Sequence, residues 1–468
     1  MFDDEDEGFF EGREGDLNED RERFEAFLAG AEMGFLDSDR WEALVDHYII
    51  GGQYQKALTC AEEALSQFSF NQIFKLRKAQ AFSALGQLKE AIRLLSELER
   101  FGMPSFELLL TKASVFSQLK DSTNAIRYFR AALKEAEPED RDEVYIDLAM
   151  EYVNRNDWKN ALKVLKEAIE ANPSNESAIY EIAYCYDQLG DYEQSIKCYS
   201  DFIDDNPYSF TAWYNLGNAY LKMEDHEQAI WAYDYCTLIN DEFGPVYFNM
   251  GNAYLSTERF TKAIEAFLKS NELDGDDPSA LCYIGECHEQ LGELDLAKKY
   301  YRLALDLAPS LPDAWLGLGI VEDLEGRTKE GLTLIHKALE LAPENAGIYH
   351  VLAGAYEKLE EFEKAQENYE MALAIEPDDE ECLLNYVELL CVESAAVALS
   401  FVEDFEQTVP ENALLPIIKV NLLWQVGEKD LALSLFKYCL EVEPEKAEQL
   451  FEINPSLKTV PEFVLLGD

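Results

Sequence analysis

Cys282, Cys287 and His288 form the only local cluster of metal-type side chains in the sequence. A structural zinc site takes four well-spaced nitrogen or sulfur ligands, so three crowded residues read as core packing. His47, His226, His336 and His350 show no partner pattern, and the sequence implies neither a metal nor any other cofactor. Asp274-Gly275-Asp276-Asp277 has the acidity of a calcium loop but not the alternating ligands or the closing Glu of an EF-hand. Gly317-Leu318-Gly319 has the first glycines of a dinucleotide fingerprint, but no strand precedes them. There is no P-loop and no H-E-x-x-H. No acid, base and nucleophile can be brought together from the pattern, so an enzyme is not expected. Asn175-Glu176-Ser177 matches a glycosylation sequon, which matters only in a secreted chain.

Charge narrows the partners. The 468 residues carry 93 acidic and 39 basic side chains, a formal net charge of -54. Nucleic acid phosphates and anionic membrane surfaces would both be repelled. The hydrophobic share of 48% and the aromatic share of 12% are too high for a disordered chain. No apolar run is long enough to span a bilayer. The start, Met1-Phe2-Asp3-Asp4-Glu5-Asp6-Glu7, has no secretory pattern. Nine cysteines, an odd number without a C-x-x-C pair, suit free thiols in a reducing compartment. A soluble cytoplasmic protein is expected.

The elements that would hold any site repeat along the chain. Prolines stand at 173, 207, 309, 343, 377, 410 and 444, with Asp241 and Gly275 in the two skipped slots. A second series is Ala57, Ala91, Ala125, Ala161, Ser195, Ala229, Ala263, Ala297, Gly331, Ala365, Ala398 and Ala432. Its steps are 34 residues, except one of 36 and one of 33. Within 210–243, Trp213, Leu216, Gly217 and Tyr220 share one helical face, and Ala229, Tyr233 and Cys236 share the face of a second helix. Lys222-Met223-Glu224-Asp225-His226 makes the turn between them.

The pattern W-x2-L-G-x2-Y, then Ala, an aromatic and Pro over 34 residues resembles the tetratricopeptide repeat family. Tyr145, Leu148, Ala149, Tyr152, Ala161 and Pro173 carry it in one unit, and Tyr349, Leu352, Ala353, Tyr356, Ala365, Tyr369 and Pro377 in another. The resemblance implies an all-α, right-handed superhelical solenoid of about twelve helix-turn-helix repeats. Units are expected at 38–71, 72–105, 106–139, 142–175, 176–209, 210–243, 244–277, 278–311, 312–345, 346–379, 380–412 and 413–446. Residues 1–23 read as a disordered acidic segment, 24–37 as an N-terminal cap helix and 447–468 as a C-terminal capping helix and tail. Two extra residues near Asp140-Arg141 interrupt the period, and Pro416 is tolerable only in the first turn of its helix.

In this family the first helix of each unit lines the inner groove. Its inward positions here hold Tyr180, Tyr184, Tyr214, Asn215, Asn218, Phe248, Asn249, Asn252, Tyr283 and Glu286. Asparagine offers both a donor and an acceptor, so these residues resemble the peptide-gripping ladders of some members. Exposed asparagines of this kind would tolerate alanine within about 0.5 kcal/mol. Lys and Arg are absent from these central positions. Capture of an acidic terminus, which other members perform, is therefore disfavoured. The expected function is a non-enzymatic interaction scaffold whose protein partner offers a neutral or basic segment. The alternatives are an accessory subunit of a separate enzyme complex and a self-associating array. About 37 residues before the array and 22 after it leave no room for a catalytic domain in this sequence.

Overall fold

The computed structural model describes residues 17–463, apart from 103–104, 410–411 and 443. Pro410, residues 1–16 of the acidic start and residues 464–468 of the tail lie outside the described residues. The chain divides into two compact units, Met1–Asp241 and Glu242–Asp468. All regular elements among the described residues are helical.

The first unit opens with α1 (17–28) and continues as hairpins of helices. These are α2 (Ser38–Ile50) with α3 (Tyr54–Gln67), α4 (Gln72–Ala84) with α5 (Leu88–Phe101), and α6 (Phe106–Gln118) with α7 (Ser122–Glu135). Then come α8 (Arg141–Val153) with α9 (Trp158–Ala171), α10 (Glu176–Leu189) with α11 (Tyr192–Asp205), and α12 (Phe210–Lys222) with α13 (His226–Ile239). The two residues beyond the regular period are absorbed by one 3-10 turn, Pro138–Asp140.

The second unit has the same plan. Its hairpins are α14 (Gly244–Ser256) with α15 (Phe260–Asp274), α16 (Pro278–Gln290) with α17 (Leu294–Leu307), and α18 (Pro312–Leu324) with α19 (Thr328–Leu341). They continue with α20 (Ala346–Lys358) and α21 (Phe362–Ile375), α22 (Glu380–Glu393) and α23 (Ala395–Glu406), and α24 (Leu415–Val426) and α25 (Lys429–Val442). Short helices α26 (Pro444–Ala447) and α27 (Leu450–Ile453) follow. Pro416 falls in the first turn of α24, where its missing N–H leaves no helical bond unmade.

Small residues set the spacing inside each hairpin. Every member of the 34-residue series, from Ala57 to Ala432, is buried. In α12, a Cβ on Gly217 would enter the ring of Tyr233, and Gly251 is capped in the same way by Phe267 and Gly285 by Tyr301. Eleven of the twelve hairpin turns close by one device: within three residues of the end of the first helix, one residue takes a left-handed backbone, at Gly52, Gly86, Lys120, Asn156, Gly190, Glu224, Glu258, Gly292, Gly326, Glu360 and Gly427. The exception is the step from α22 to α23, which passes through an extended Ser394. Around Glu224, its own N–H reaches Leu221 O at 3.0 Å and the Asp225 N–H reaches Tyr220 O at 3.0 Å. That bond pair is a Schellman C-cap, which satisfies carbonyls the helix end would strand.

First helices also touch the first helices of neighbouring hairpins: α2 with α4, α4 with α6, α8 with α10, α10 with α12, and in the second unit α16 with α18 and α18 with α20. Successive second helices make no contacts of that extent. The first helices thus form the more closely spaced layer of each unit, which is the inner side of a curved stack.

Both ends differ from expectation. Helix α1 takes in residues 17–23 of the stretch read as disordered, and the chain from 31 to 37 is not helical. Burial and pairing outweigh acidity here. Phe24 is fully buried against Trp41 and Tyr48, and Asp20 is held by Arg40 through bonds of 2.7 and 2.6 Å. At the other end there are several short helical pieces rather than one helix, because Pro455 starts a separate 3-10 turn. Phe463 seals that end against Trp424 and Phe436.

Two substitutions test this account. Gly217→Ala should destabilise the chain by about 1–3 kcal/mol, because the Tyr233 ring must move. Glu360→Gly, at an exposed left-handed position, should stabilise it by about 1 kcal/mol. Urea unfolding of both variants beside the parent reads the two signs.

Candidate functional site

The expected groove residues do not share one environment. On α10, Tyr180 is 66% exposed and Tyr184 47% exposed, the latter edge-on to Trp158 at 5.6 Å. On α12, the Tyr214 ring lies 6.1 Å from that of Tyr233, whose hydroxyl donates to Asn218 Oδ1 at 2.7 Å. Asn218 is thereby part of the hairpin. Asn215 is only 6% exposed, and its Nδ2 is buried with no hydrogen bond. Neither is the free, solvated amide that tolerance of alanine assumed.

In the second unit Phe248, Asn249, Asn252, Tyr283 and Glu286 are all half-buried. Phe248 packs on Phe267 and Tyr283 with ring centres 5.7 and 6.1 Å away, and Phe267 stacks on Tyr283 at 5.4 Å. These aromatics knit helices together before they offer a surface.

Carboxyls in the same inner layer carry the more distinctive chemistry. Glu286 is pushed above its ordinary range by burial and by Asp313 on the next first helix. Glu289, one turn along α16, is pushed up to about 7, chiefly by burial, with Glu286 adding to the effect. The Tyr301 hydroxyl donates to Glu289 Oε2 at 2.8 Å and opposes part of that shift. In the first unit Asp147 is pushed up to about 6 by burial, Glu143 and Glu151, and burial raises Glu181. Among the described residues none of these carboxylates pairs with Lys or Arg.

The N-terminal hairpins handle the same register position differently. Arg77 on α4, equivalent to Asp147 and Glu181, bridges Asp46 on α2 and Glu107 on α6. There a cation inside the chain neutralises the inner face, whereas the central hairpins leave it negative. Sequence reading named Glu286 but missed Asp147, Glu181, Glu289 and Asp313. Stepping the groove positions through every repeat finds them.

The remaining motifs serve the fold. Cys282 and Cys287 are buried, and His288 turns its Nδ1 to Glu293 Oε2 at 2.7 Å and stacks on Tyr300. Asp277 caps α16 by accepting from the Ser279 and Ala280 N–H groups. Gly317 and Gly319 lie inside α18 against Tyr301 and Ile335. Asn175, the sequon residue, is a buried cap of α10. No described helix is long and apolar enough to cross a membrane.

Family models agree with this architecture. Two described as tetratricopeptide repeat match residues 43–106 and 248–312, and 324–384. A third, described as anaphase-promoting complex, cyclosome, subunit 3, matches 118–202 and 154–236. The chain belongs to the tetratricopeptide repeat family. Among relatives, it is 31% identical over 117 residues to Protein CTR9 homolog from Arabidopsis thaliana, covering 25% of this chain and 11% of that protein. It is 24% identical over 187 residues to anaphase-promoting complex subunit 3 from Schizosaccharomyces pombe, covering 39% of this chain and 28% of that protein. The match therefore spans less than a third of either relative. A crystal structure of the APC/C hetero-tetramer Cut9–Hcn1 aligns over 83% of this chain and 90% of that one, at 14% identity and a TM-score of 0.43.

This tetratricopeptide array should show the cost of its inner carboxyls in its pH dependence. Between the ordinary 4.5 and about 7, folded Glu289 keeps a proton that the unfolded chain has lost. Its contribution to stability must fall as pH rises through that window. Glu289→Gln retains an acceptor for Tyr301 and removes the titration. The variant should be more stable than the parent at pH 8 and indistinguishable from it below pH 4.5, read as urea midpoints.

Proposed function

We propose that the array is a non-catalytic scaffold that binds a basic segment of a partner protein along the first-helix face of its hairpins. The unneutralised, half-buried carboxyls on that face carry the reading. A Lys or Arg side chain beside Glu286, Glu289 and Asp313 would give them the counter-charge that Arg77 supplies at the N-terminal hairpins. Exposed Tyr180 and Tyr184 would give contact area with little loss of rotamer freedom. Asn252 and Tyr283 flank the acidic positions in the second unit. A basic partner is also the kind that a chain of net charge -54 attracts fastest.

A second reading is that the scaffold is a resident subunit of a larger enzyme assembly. The match of residues 118–236 to the subunit 3 model favours it. Purification of the native protein separates the two: a fixed set of stoichiometric subunits supports assembly, and exchangeable single partners support peptide capture.

Neutralisation distinguishes the inner face from bulk charge. One variant carries Asp147→Asn, Glu181→Gln, Glu286→Gln and Glu289→Gln. A control carries Glu170→Gln, Glu193→Gln, Glu330→Gln and Glu363→Gln, all exposed on second helices. Fluorescence anisotropy with a labelled Lys/Arg-rich peptide should show at least tenfold weaker binding for the first and little change for the control. Affinity of the parent should fall as pH drops through about 7, because Glu289 takes up a proton that the bound cation disfavours. Equal losses in both variants would reduce the effect to net charge and sink the groove reading.

A further inference from the structure

We propose that His350, Asp379 and Cys382 form a site for a thiophilic divalent cation, Zn²⁺ by its ligand chemistry, where α20 meets α22. Their ligand atoms all lie within 4.8 Å of one another, the one such trio among the described residues. Asp379 is the N-cap of α22, and its Oδ1 accepts from the Cys382 N–H at 2.9 Å. The cap fixes the carboxylate, leaving Oδ2 3.7 Å from His350 Nδ1. Around zinc, bonds of about 2.0–2.3 Å imply ligand-to-ligand edges of roughly 3.3–3.6 Å. The His–Asp edge is already near that length, so closure is mainly a matter of small side-chain rotations.

The surroundings support the imidazole from two more sides. His350 Nε2 lies 3.0 Å from the Asn385 side-chain amide, and its ring rests against Tyr369 at 5.9 Å. The two ends of an asparagine amide exchange by rotation about one bond. With Oδ1 of Asn385 accepting from Nε2–H, the lone pair on Nδ1 points to the Asp379 and Cys382 side. Metal-bound histidines are held in that way by a second hydrogen bond.

Packing alone does not call for these residue types. The position of Cys382 is filled by Ala280 and Ala314 in the two hairpins beginning at α16 and α18, and that of His350 by Leu316 and Leu384 in neighbouring ones. Among the described residues, a thiol, a carboxylate and an imidazole meet only here. When the cation binds, the Cys382 thiol gives its proton to solvent as the metal–sulfur bond forms. Thiolate and carboxylate then balance the two positive charges, so the junction gains a neutral centre. The ligand set excludes Ca²⁺ and Mg²⁺, which take oxygen ligands. His350 and Asp379 keep 19% and 23% of their side-chain surface, which leaves a fourth position open to water.

The test uses the untagged full chain and Co²⁺ as the optical probe. One equivalent should produce a thiolate-to-cobalt charge-transfer band, and Zn²⁺ should abolish it. Cys382→Ala, the residue natural to this position elsewhere in the array, should fold and lose the band while keeping the other eight cysteines. Asn385→Ala should retain the band with about 10–100-fold weaker affinity. Absence of the band in the parent, or its survival in Cys382→Ala, overturns the site. Thermal melts with and without Zn²⁺ give an independent reading: the midpoint should rise for the parent and stay fixed for Cys382→Ala. These outcomes do not depend on the inner-face carboxyls tested above.

Discussion

Close approach of two helices inside each hairpin rests on one residue with almost no side chain. Ala229 and its counterparts at the same step bring the backbones together, and a large ring such as Tyr233, Phe267 or Tyr301 then lies flat over the facing glycine. That geometry fixes which surface of the first helix is spent on its own partner. What remains faces the next first helix or the inner side of the stack. The inner-face chemistry is therefore a remainder after packing, and only a few positions per repeat are at liberty to vary.

This explains why the inner-face carboxyls of Asp147, Glu181, Glu286 and Glu289 are half-buried rather than solvated. A groove position sits between two first helices that touch, so anything polar placed there loses water on two sides. A carboxylate in that slot becomes a weaker acid, as at Asp147 and Glu181. An amide in the same slot is swallowed, as at Asn215. An arginine in it reaches acidic groups on both neighbours, as at Arg77. One architectural position thus gives three electrostatic outcomes, and the chain uses them in different hairpins. The neutralised hairpins close on themselves, while the acidic ones hold unmet charge that an outside cation can answer.

The repeat was legible because its cause is periodic: a backbone contact needs Ala, Ser or Gly each time, and the small residues declare it. The left-handed turn was less visible. Lys120, Asn156, Glu224, Glu258 and Glu360 occupy it as well as glycines, so residue type does not announce the conformation. Helix α1 was hidden by composition, since Asp20 looks like one acid among many until Arg40 is folded against it. In the groove, Tyr180 and Tyr184 stand exposed. Asn215 and Asn218 do not, because a positional rule gives direction but not the depth to which the neighbouring helix covers a residue. His350, Asp379 and Cys382 show no pattern in the sequence: His350 sits mid-helix, one repeat away from a cap and a core position.

Placement of that trio has a consequence for a stacked array. Neighbouring repeats are normally joined by apolar burial, which has no preferred direction and lets adjacent hairpins settle over a range of small rotations. A tetrahedral ion has fixed angles. Holding one ligand on α20 and two at the start of α22, it would choose one rotation from that range. His350 and Asn385 also occupy inner-face register positions, so the same ion would add a neutral, rigid point to the first-helix face that carries the acidic carboxyls of the second unit. Stiffness and charge on that face would then be set at a single junction, without altering the packing residues that every hairpin shares.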